Sequence, residues 1–210
     1  MSMRSFDIKV FEYIHHLYSE KKDESHLSWA DHVSCDPSIW KPDAWLLQYE
    51  KLAFENCSDL IKGKRVLDMG CNIGSKISWL ENYGATHYTG VDPNAHDLKY
   101  AKIVADIVDI NCELVNTTAE NFEYKNYDTG LLLSVTHWLR DQELVLSKLF
   151  NHCQHTIIDT WIAKEGCNGL SYYLDLAEEH GHKIISVDNI GEQKSPWEKQ
   201  LIVTYKDGSN

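Results

Sequence analysis

A chain of 210 residues, 43% hydrophobic and 25% charged, has the composition of one globular core with a modest appendage, and no tract in it is long and apolar enough to span a bilayer. The net charge of -12 opposes a polynucleotide partner unless the cations gather on one face, because nonspecific affinity for a phosphate backbone comes from Lys and Arg. Six cysteines without a C-x-x-C pair, zinc-site spacing or a secretion signal before them read as free thiols, which predicts a cytoplasmic protein.

The pattern changes near residue 60, which divides the chain into residues 1–58 and 59–210. In the first part Phe6, Val10, Phe11, Ile14, Leu17 and Tyr18 recur at three- and four-residue spacing, the stripe of an amphipathic helix. Asp36-Pro37 and Lys41-Pro42-Asp43 mark turns, and Asp43 is placed to cap a second helix running from Ala44 towards Cys57.

From Lys64 onward short apolar runs alternate with helical patterns, as in βαβ units on a parallel sheet. Strands are predicted at Arg65–Met69, His87–Asp92, Cys112–Asn116, Thr129–Ser134, His155–Asp159, Lys183–Val187 and Gln200–Tyr205. Helices are predicted at Gly74–Tyr83, Ala95–Ile110, Asp141–Cys153 and Gly169–His180. The last two strands have no long helix between them, so an antiparallel pair at the sheet edge is expected.

The strongest local signal is Val66-Leu67-Asp68-Met69-Gly70-Cys71-Asn72-Ile73-Gly74, a buried strand running into a tight turn and a helix. Gly70 stands where backbone must approach a ligand closely, and Gly74 where the helix packs on the sheet. Asn72 occupies the place of a third glycine, and Asn tolerates positive φ better than most residues. Asp92 ends the second strand, at the position where an acid can accept both hydroxyls of a bound ribose. An acid inside the apolar run Val-Leu-Asp-Met must find a donor, which separates this segment from a purely structural glycine turn.

The run VLDMGCNIG followed by YTGVDPN resembles motifs I and II of the class I S-adenosylmethionine-dependent methyltransferases, over roughly residues 60 to 205. The resemblance implies an α/β fold: a seven-stranded, mostly parallel Rossmann-like methyltransferase sheet with helices on both faces, under an N-terminal helical lid. It implies S-adenosyl-L-methionine as cofactor and S-adenosyl-L-homocysteine as product. Asp68 would orient the turn and meet the methionine end, Gly70, Cys71, Asn72 and Gly74 would form the turn, and Asp92 would hold the ribose, flanked by Pro93 and Asn94. The segment Thr118-Ala119-Glu120 falls where relatives carry an Asp-Ala-Glu-like run against adenine, with Thr118 in the place of that Asp. Thr118 and the nearby Asn121 are equally good capping residues.

On the acceptor side Ser134-Val135-Thr136-His137-Trp138 resembles the motif IV region of small-molecule methyltransferases, which implies that Ser134 and His137 border the methyl group. His137 is the candidate general base, a role imidazole suits with its ordinary pKa near 6.5, or else a wall of the pocket. Trp138 reads either as core packing or as a stacking platform. Tyr18, Trp40, Trp138 and Trp161 are candidate acceptor contacts, the first two from the lid, enclosing a mostly apolar small molecule. The eleven histidines show no ligand spacing, so no metal is expected.

The leading expectation is methyl transfer to a small molecule by in-line displacement. The segment Gly63–Thr160 also bears a loose likeness to tRNA wobble-uridine modifying enzymes, and a basic groove built from Lys62, Lys64, Arg65 and Lys76 would favour that reading. A noncatalytic cofactor-binding scaffold is the third. The oligomeric state is not legible in the sequence.

Overall fold

In the computed structural model the residues described are 57–74, 76–162, 168–190 and 198–207. The predicted helices of residues 1–58, and with them the lid and its candidates Tyr18 and Trp40, lie outside the described residues, apart from Cys57 and Ser58 at the entrance to a short 3₁₀ turn, Ser58–Leu60.

Seven strands form one sheet: β1 (Arg65–Met69), β2 (His87–Asp92), β3 (Cys112–Asn116), β4 (Tyr127–Leu132), β5 (Cys153–Ile162), β6 (His182–Asn189) and β7 (Glu198–Lys206). Among the described residues four α-helices connect them: α1 (Ile77–Asn82), α2 (Ala95–Val108), α3 (Gln142–His152) and α4 (Leu170–Glu179). The spatial order is β3-β2-β1-β4-β5-β7-β6. The pairs from β3 through β5 are parallel, and β7 runs antiparallel between β5 and β6. The sheet is therefore mostly parallel, as expected, and β6 rather than β7 is the edge strand.

Central strands are covered on both faces, which is why β1 and β2 are buried almost throughout. One face packs Val66, Tyr88, Leu131 and Ile157 against α1 and α2, where Leu98, Ala101, Val104, Ala105 and Val108 form the buried stripe. The other packs Leu67, Leu132 and Ile158 against Val145, Leu146 and Leu149 of α3 and Tyr173 and Ala177 of α4. The edge strand β6 has only its first residue, His182, fully buried and then alternates exposed and half-buried residues.

The first three strands coincide with their predicted bounds. Other elements shift for identifiable reasons. Gly74 has φ +77°, so α1 cannot begin there, and α2 stops at Val108 because Asp109 turns left-handed at φ 56°. Ser134 lies outside β4 at φ 60°. The long register between β5 and β7 carries β5 on to Ile162.

Candidate cofactor and acceptor site

Strand order reverses between β1 and β4, since β2 and β3 extend one way from β1 and the rest of the sheet the other. In open α/β sheets such a switch point opens a crevice at the carboxyl ends of the strands. The turn after β1 and the loop after β4 meet there: a Cβ placed on Gly70 would collide with Val135 Cγ2. The close approach that requires Gly70 thus comes from Val135, where the sequence suggested a ligand. A Cβ on Gly74 would lie 2.9 Å from the Ala101 backbone, so that glycine admits α2, not the sheet.

The turn itself alternates handedness, with Gly70 at φ +75°, Asn72 at +49° and Gly74 at +77°. Asn72 adopts the left-handed conformation its residue type allows, and its own Oδ1 accepts the Ile73 N–H at 2.7 Å. The N–H groups of Gly70 and Cys71 both donate to the Val91 carbonyl, at 2.8 and 3.1 Å, which ties the turn to β2.

Asp68 pairs in register with Gly90, so its side chain lies on the same face as Tyr88 and Asp92. Asp68 is fully buried. Tyr88 Oη donates to its Oδ2 at 3.0 Å, whereas Oδ1 has no hydrogen-bond partner among the described residues. Burial pushes the Asp68 carboxyl above the usual range; the Lys76 ammonium and the Tyr88 hydroxyl pull it back, and Asp92 adds to the rise.

Asp92 is 8% exposed and organises the backbone around it. Its Oδ2 accepts the Asn72 N–H at 2.9 Å and its Oδ1 the Asn94 N–H at 2.8 Å. Each oxygen retains a further lone pair for a hydroxyl donor. Pro93 is exposed, and Asn94 caps α2 by accepting the His96 N–H at 3.0 Å. Asp97 accepts from both Asn94 and Asn72, at 2.8 and 3.3 Å, and so links the turn after β1 to the first turn of α2.

Thr118, Ala119 and Glu120 lie in the turn after β3. Ala119 is buried with Phe122 in the core of the α3 face. Glu120 braces the loop that leads into α3, since its Oε1 accepts the Arg140 N–H at 2.9 Å and Lys148 Nζ donates to its carbonyl at 2.7 Å. Burial raises the Glu120 carboxyl, but hydrogen bonds from backbone groups and from Thr118 outweigh it and hold the group below its ordinary range.

The acceptor-side loop is held from β5 at two points. Ser134 donates its N–H to Asp159 Oδ1, and its hydroxyl lies 3.3 Å from Asp159 Oδ2. Lys199, at the start of β7, donates to Ser134 Oγ at 2.7 Å and pairs with Asp159 Oδ2 at 2.8 Å. Two residues on, buried Thr136 donates to Thr160 at 3.3 Å, Thr160 to Tyr173 Oη at 2.9 Å, and Tyr173 to Gln142 Oε1 at 3.2 Å. Between these anchors and α3, the 3₁₀ turn Thr136–Trp138 presents His137 and Trp138, their rings 5.0 Å apart. Trp138 is 66% exposed, which corrects the core-packing reading of that residue. Trp161 is half-buried under the Lys199 ammonium, 5.2 Å from its ring centre.

Asp159, Lys199, Tyr88 and the Thr136–Thr160–Tyr173 chain were not among the residues singled out from sequence. Asp159 carries the signal that exposed Asp68, an acid within an apolar strand (Thr-Ile-Ile-Asp-Thr-Trp). The proposed basic groove does not assemble. Lys62, Lys64 and Arg65 stand at the amino end of β1, opposite the crevice, and Lys76 is buried at 6% exposure with its charge acting on Asp68. Among the described residues no three His, Cys, Asp or Glu side chains are grouped to hold a metal, and no helix is long and apolar enough to cross a membrane.

Comparison with known proteins bears on the fold. Residues 67–155 match the family model of the methyltransferase domain. Methyltransferase phqN of Penicillium fellutanum is 23% identical, covering 67% of this chain and 53% of that protein, so the chain spans about half the length of this curated relative. Among solved structures, magnesium protoporphyrin IX methyltransferase (ChlM) from Synechocystis PCC 6803, with bound S-adenosylmethionine, superposes with TM-score 0.68 at 14% identity, over 99% of this chain and all of that one (100%). The [4+2]-cyclase SpnF superposes with TM-score 0.67 at 12% identity, over 81% and 84% of the two chains. A candidate RNA methyltransferase from Pyrococcus horikoshii gives 0.62 at 14% identity, over 79% and 90%. At these identities the structures establish a shared fold.

Proposed function

We propose, from the match of residues 67–155 to the methyltransferase domain and the sheet built around them, that this chain is a class I, Rossmann-like methyltransferase with S-adenosylmethionine as cofactor, and that it methylates a small molecule bound beside the loop after β4. The observation that carries the reading is the pair of acids at the carboxyl ends of β1 and β2. Asp68 and Asp92 share one face, flank a left-handed turn, and Asp68 Oδ1 is buried without a partner among the described residues. Such an atom fits the ammonium of a methionine moiety, and the spare lone pairs of Asp92 fit two ribose hydroxyls.

The cofactor supplies an electrophilic methyl carbon on a sulfonium. The chain's own residues bind and align. Asp68 takes the methionine end, Gly70, Cys71, Asn72 and Gly74 shape the turn, Asp92 with Pro93 and Asn94 holds the ribose, and Thr118 and Ala119 border the adenine. Ser134 fixes the near end of the acceptor loop. His137 accepts a proton from an oxygen or nitrogen acceptor, and Trp138 and Trp161 provide aromatic surface for it. Bringing the two reactants into line supplies most of the acceleration in a displacement of this kind. In the same reading the chain works in the cytoplasm.

A small acceptor is favoured over RNA because three of the four cations that a groove would need stand at the opposite end of β1, and the fourth is buried. The test is incubation with methyl-labelled S-adenosylmethionine and cell extract fractionated into small molecules, RNA and protein. Label in the small-molecule fraction is the expected result. Label confined to RNA or protein, or no binding of S-adenosylhomocysteine by calorimetry, would overturn the proposal. Binding without any labelled product would assign the fold to a different chemistry, as function resides in the site and not the scaffold.

A further inference from the structure

The Tyr88 phenol lies under the turn after β1 and is wholly buried, with its ring in the α1–α2 side of the core. A buried hydroxyl needs a partner, and here it takes one oxygen of Asp68 at 3.0 Å, leaving the other oxygen open. The neighbourhood is shaped to keep the ring there. A Cβ on Gly90 would stand 2.8 Å from both Tyr88 Cε1 and Cys71 Sγ, so only glycine at 90 lets the ring and the turn pack side by side.

We propose that Tyr88 is a positioning residue for cofactor recognition: by holding Asp68 Oδ2 it orients the carboxylate so that Oδ1 meets the ammonium of the amino-acid end of an S-adenosyl ligand. This rests on the reading of Asp68 given above. The groups facing Asp68 are Tyr88 from β2, Asp92 from the end of β2, and Lys76 ahead of α1, with the Cys71 thiol beside Tyr88. Tyr88 and Lys76 favour the anion, whereas burial and Asp92 oppose it. Losing the Tyr88 hydroxyl therefore moves the Asp68 carboxyl further up, and ligand affinity then falls off at a higher pH than in the unaltered chain.

The experiment compares two probes by calorimetry: S-adenosylhomocysteine, which carries the amino-acid end, and 5′-methylthioadenosine, which lacks it. Tyr88→Phe should weaken S-adenosylhomocysteine about tenfold, shift its acid fall-off upward, and leave methylthioadenosine within about twofold. In an Asp68→Asn background the same substitution should have no further selective effect. Equal weakening of both probes, or no change in either, overturns the proposal. If the unaltered chain binds neither probe, it is the cofactor assignment itself that fails. Should Tyr88→Phe not fold, Tyr88→His decides on the same two probes: selective loss of S-adenosylhomocysteine supports the proposal, and equal loss of both overturns it.

Discussion

Asp159 and Lys199 form an ion pair of 2.8 Å whose side chains are each 6% exposed, and both groups also hold Ser134. The pair joins β5 to β7 at the same end of the sheet as the turn after β1 and the loop after β4. Burying two charges costs several kcal/mol each, so such a pair survives where its geometry is satisfied by further hydrogen bonds. Here those bonds fix Ser134 at φ 60°, a conformation that costs a residue with a side chain about 1 to 2 kcal/mol.

Lys199→Met leaves Asp159 buried without its cation, and is expected to destabilise the chain by about 3 to 5 kcal/mol, in line with breaking other buried pairs. Asp159→Asn with Lys199→Met should recover much of that loss, because no uncompensated charge remains. Urea unfolding of the two variants checks the order. A single Lys199→Met variant as stable as the starting chain would show that the pair contributes nothing to stability.

Asp92→Ala is expected to weaken S-adenosylhomocysteine by about 1 to 3 kcal/mol, the range for a buried hydrogen bond to a charged group. Asp92 also receives the Asn72 and Asn94 N–H groups, so part of the loss would come from the turn loosening. Calorimetry with Asp92→Asn separates the two contributions. The amide keeps one acceptor, and its affinity should fall between those of the aspartate and the alanine.

Asn72 offers a test of backbone strain at the turn. Asn72→Ala at φ 49° should cost about 1 to 2 kcal/mol, and it also removes the hydrogen bonds to Ile73 and Asp97, whereas Asn72→Gly relieves the conformation while losing the same bonds. Thermal unfolding should therefore rank asparagine and glycine above alanine. An alanine variant equal to glycine would mean that the turn relaxes out of the left-handed region.

His137→Gln distinguishes the two roles left open for that imidazole. As a general base it should contribute roughly 10²- to 10⁴-fold to kcat, and its removal should abolish the acid limb of the pH–rate profile with S-adenosylhomocysteine affinity unchanged. A fall of only a few-fold, carried by KM, would place His137 in the pocket wall.

What the sequence revealed followed from local signals. β1, β2 and β3 coincided with their predicted bounds because each apolar run stops at a turn former: Gly70 after Met69, Asp92-Pro93, and the polar Asn116-Thr117-Thr118. The position of β7 between β5 and β6 was hidden, since strand order depends on pairings between distant segments. Asp159 and Lys199 were missed for the same reason. They are 40 positions apart and meet only through the antiparallel register that sets Asp159 opposite Leu201 and Thr160 opposite Gln200. Trp138 was ambiguous because its exposure is decided by a 3₁₀ turn, an element with no periodic signature.

A last prediction concerns stability against acid. His182 is buried between β7 and α3, its Nε2–H donating to the Phe150 carbonyl and its Nδ1 accepting from Thr204 Oγ1, both at 2.8 Å. The carbonyl can only accept, so the proton sits on Nε2 and the neutral ring is satisfied on both sides. Burial pulls its pKa from an ordinary 6.5 down to about 4, with Lys206, His155 and His180 acting in the same direction and the Phe150 bond against them. A group whose folded pKa is depressed contributes stability above its unfolded value and loses it as pH falls through the interval, here from about 6.5 to about 4. After allowance for solvent screening the loss is on the order of 1 to 2 kcal/mol. His155 is lowered as well, so the comparison must be made between variants and not read from a single curve. Urea midpoints for the unaltered chain and for His182→Gln should lie furthest apart near neutral pH and converge towards pH about 4, since only the histidine has a proton to take up in the unfolded state. A separation that stays constant across that range would show that His182 does not titrate differently in the folded chain.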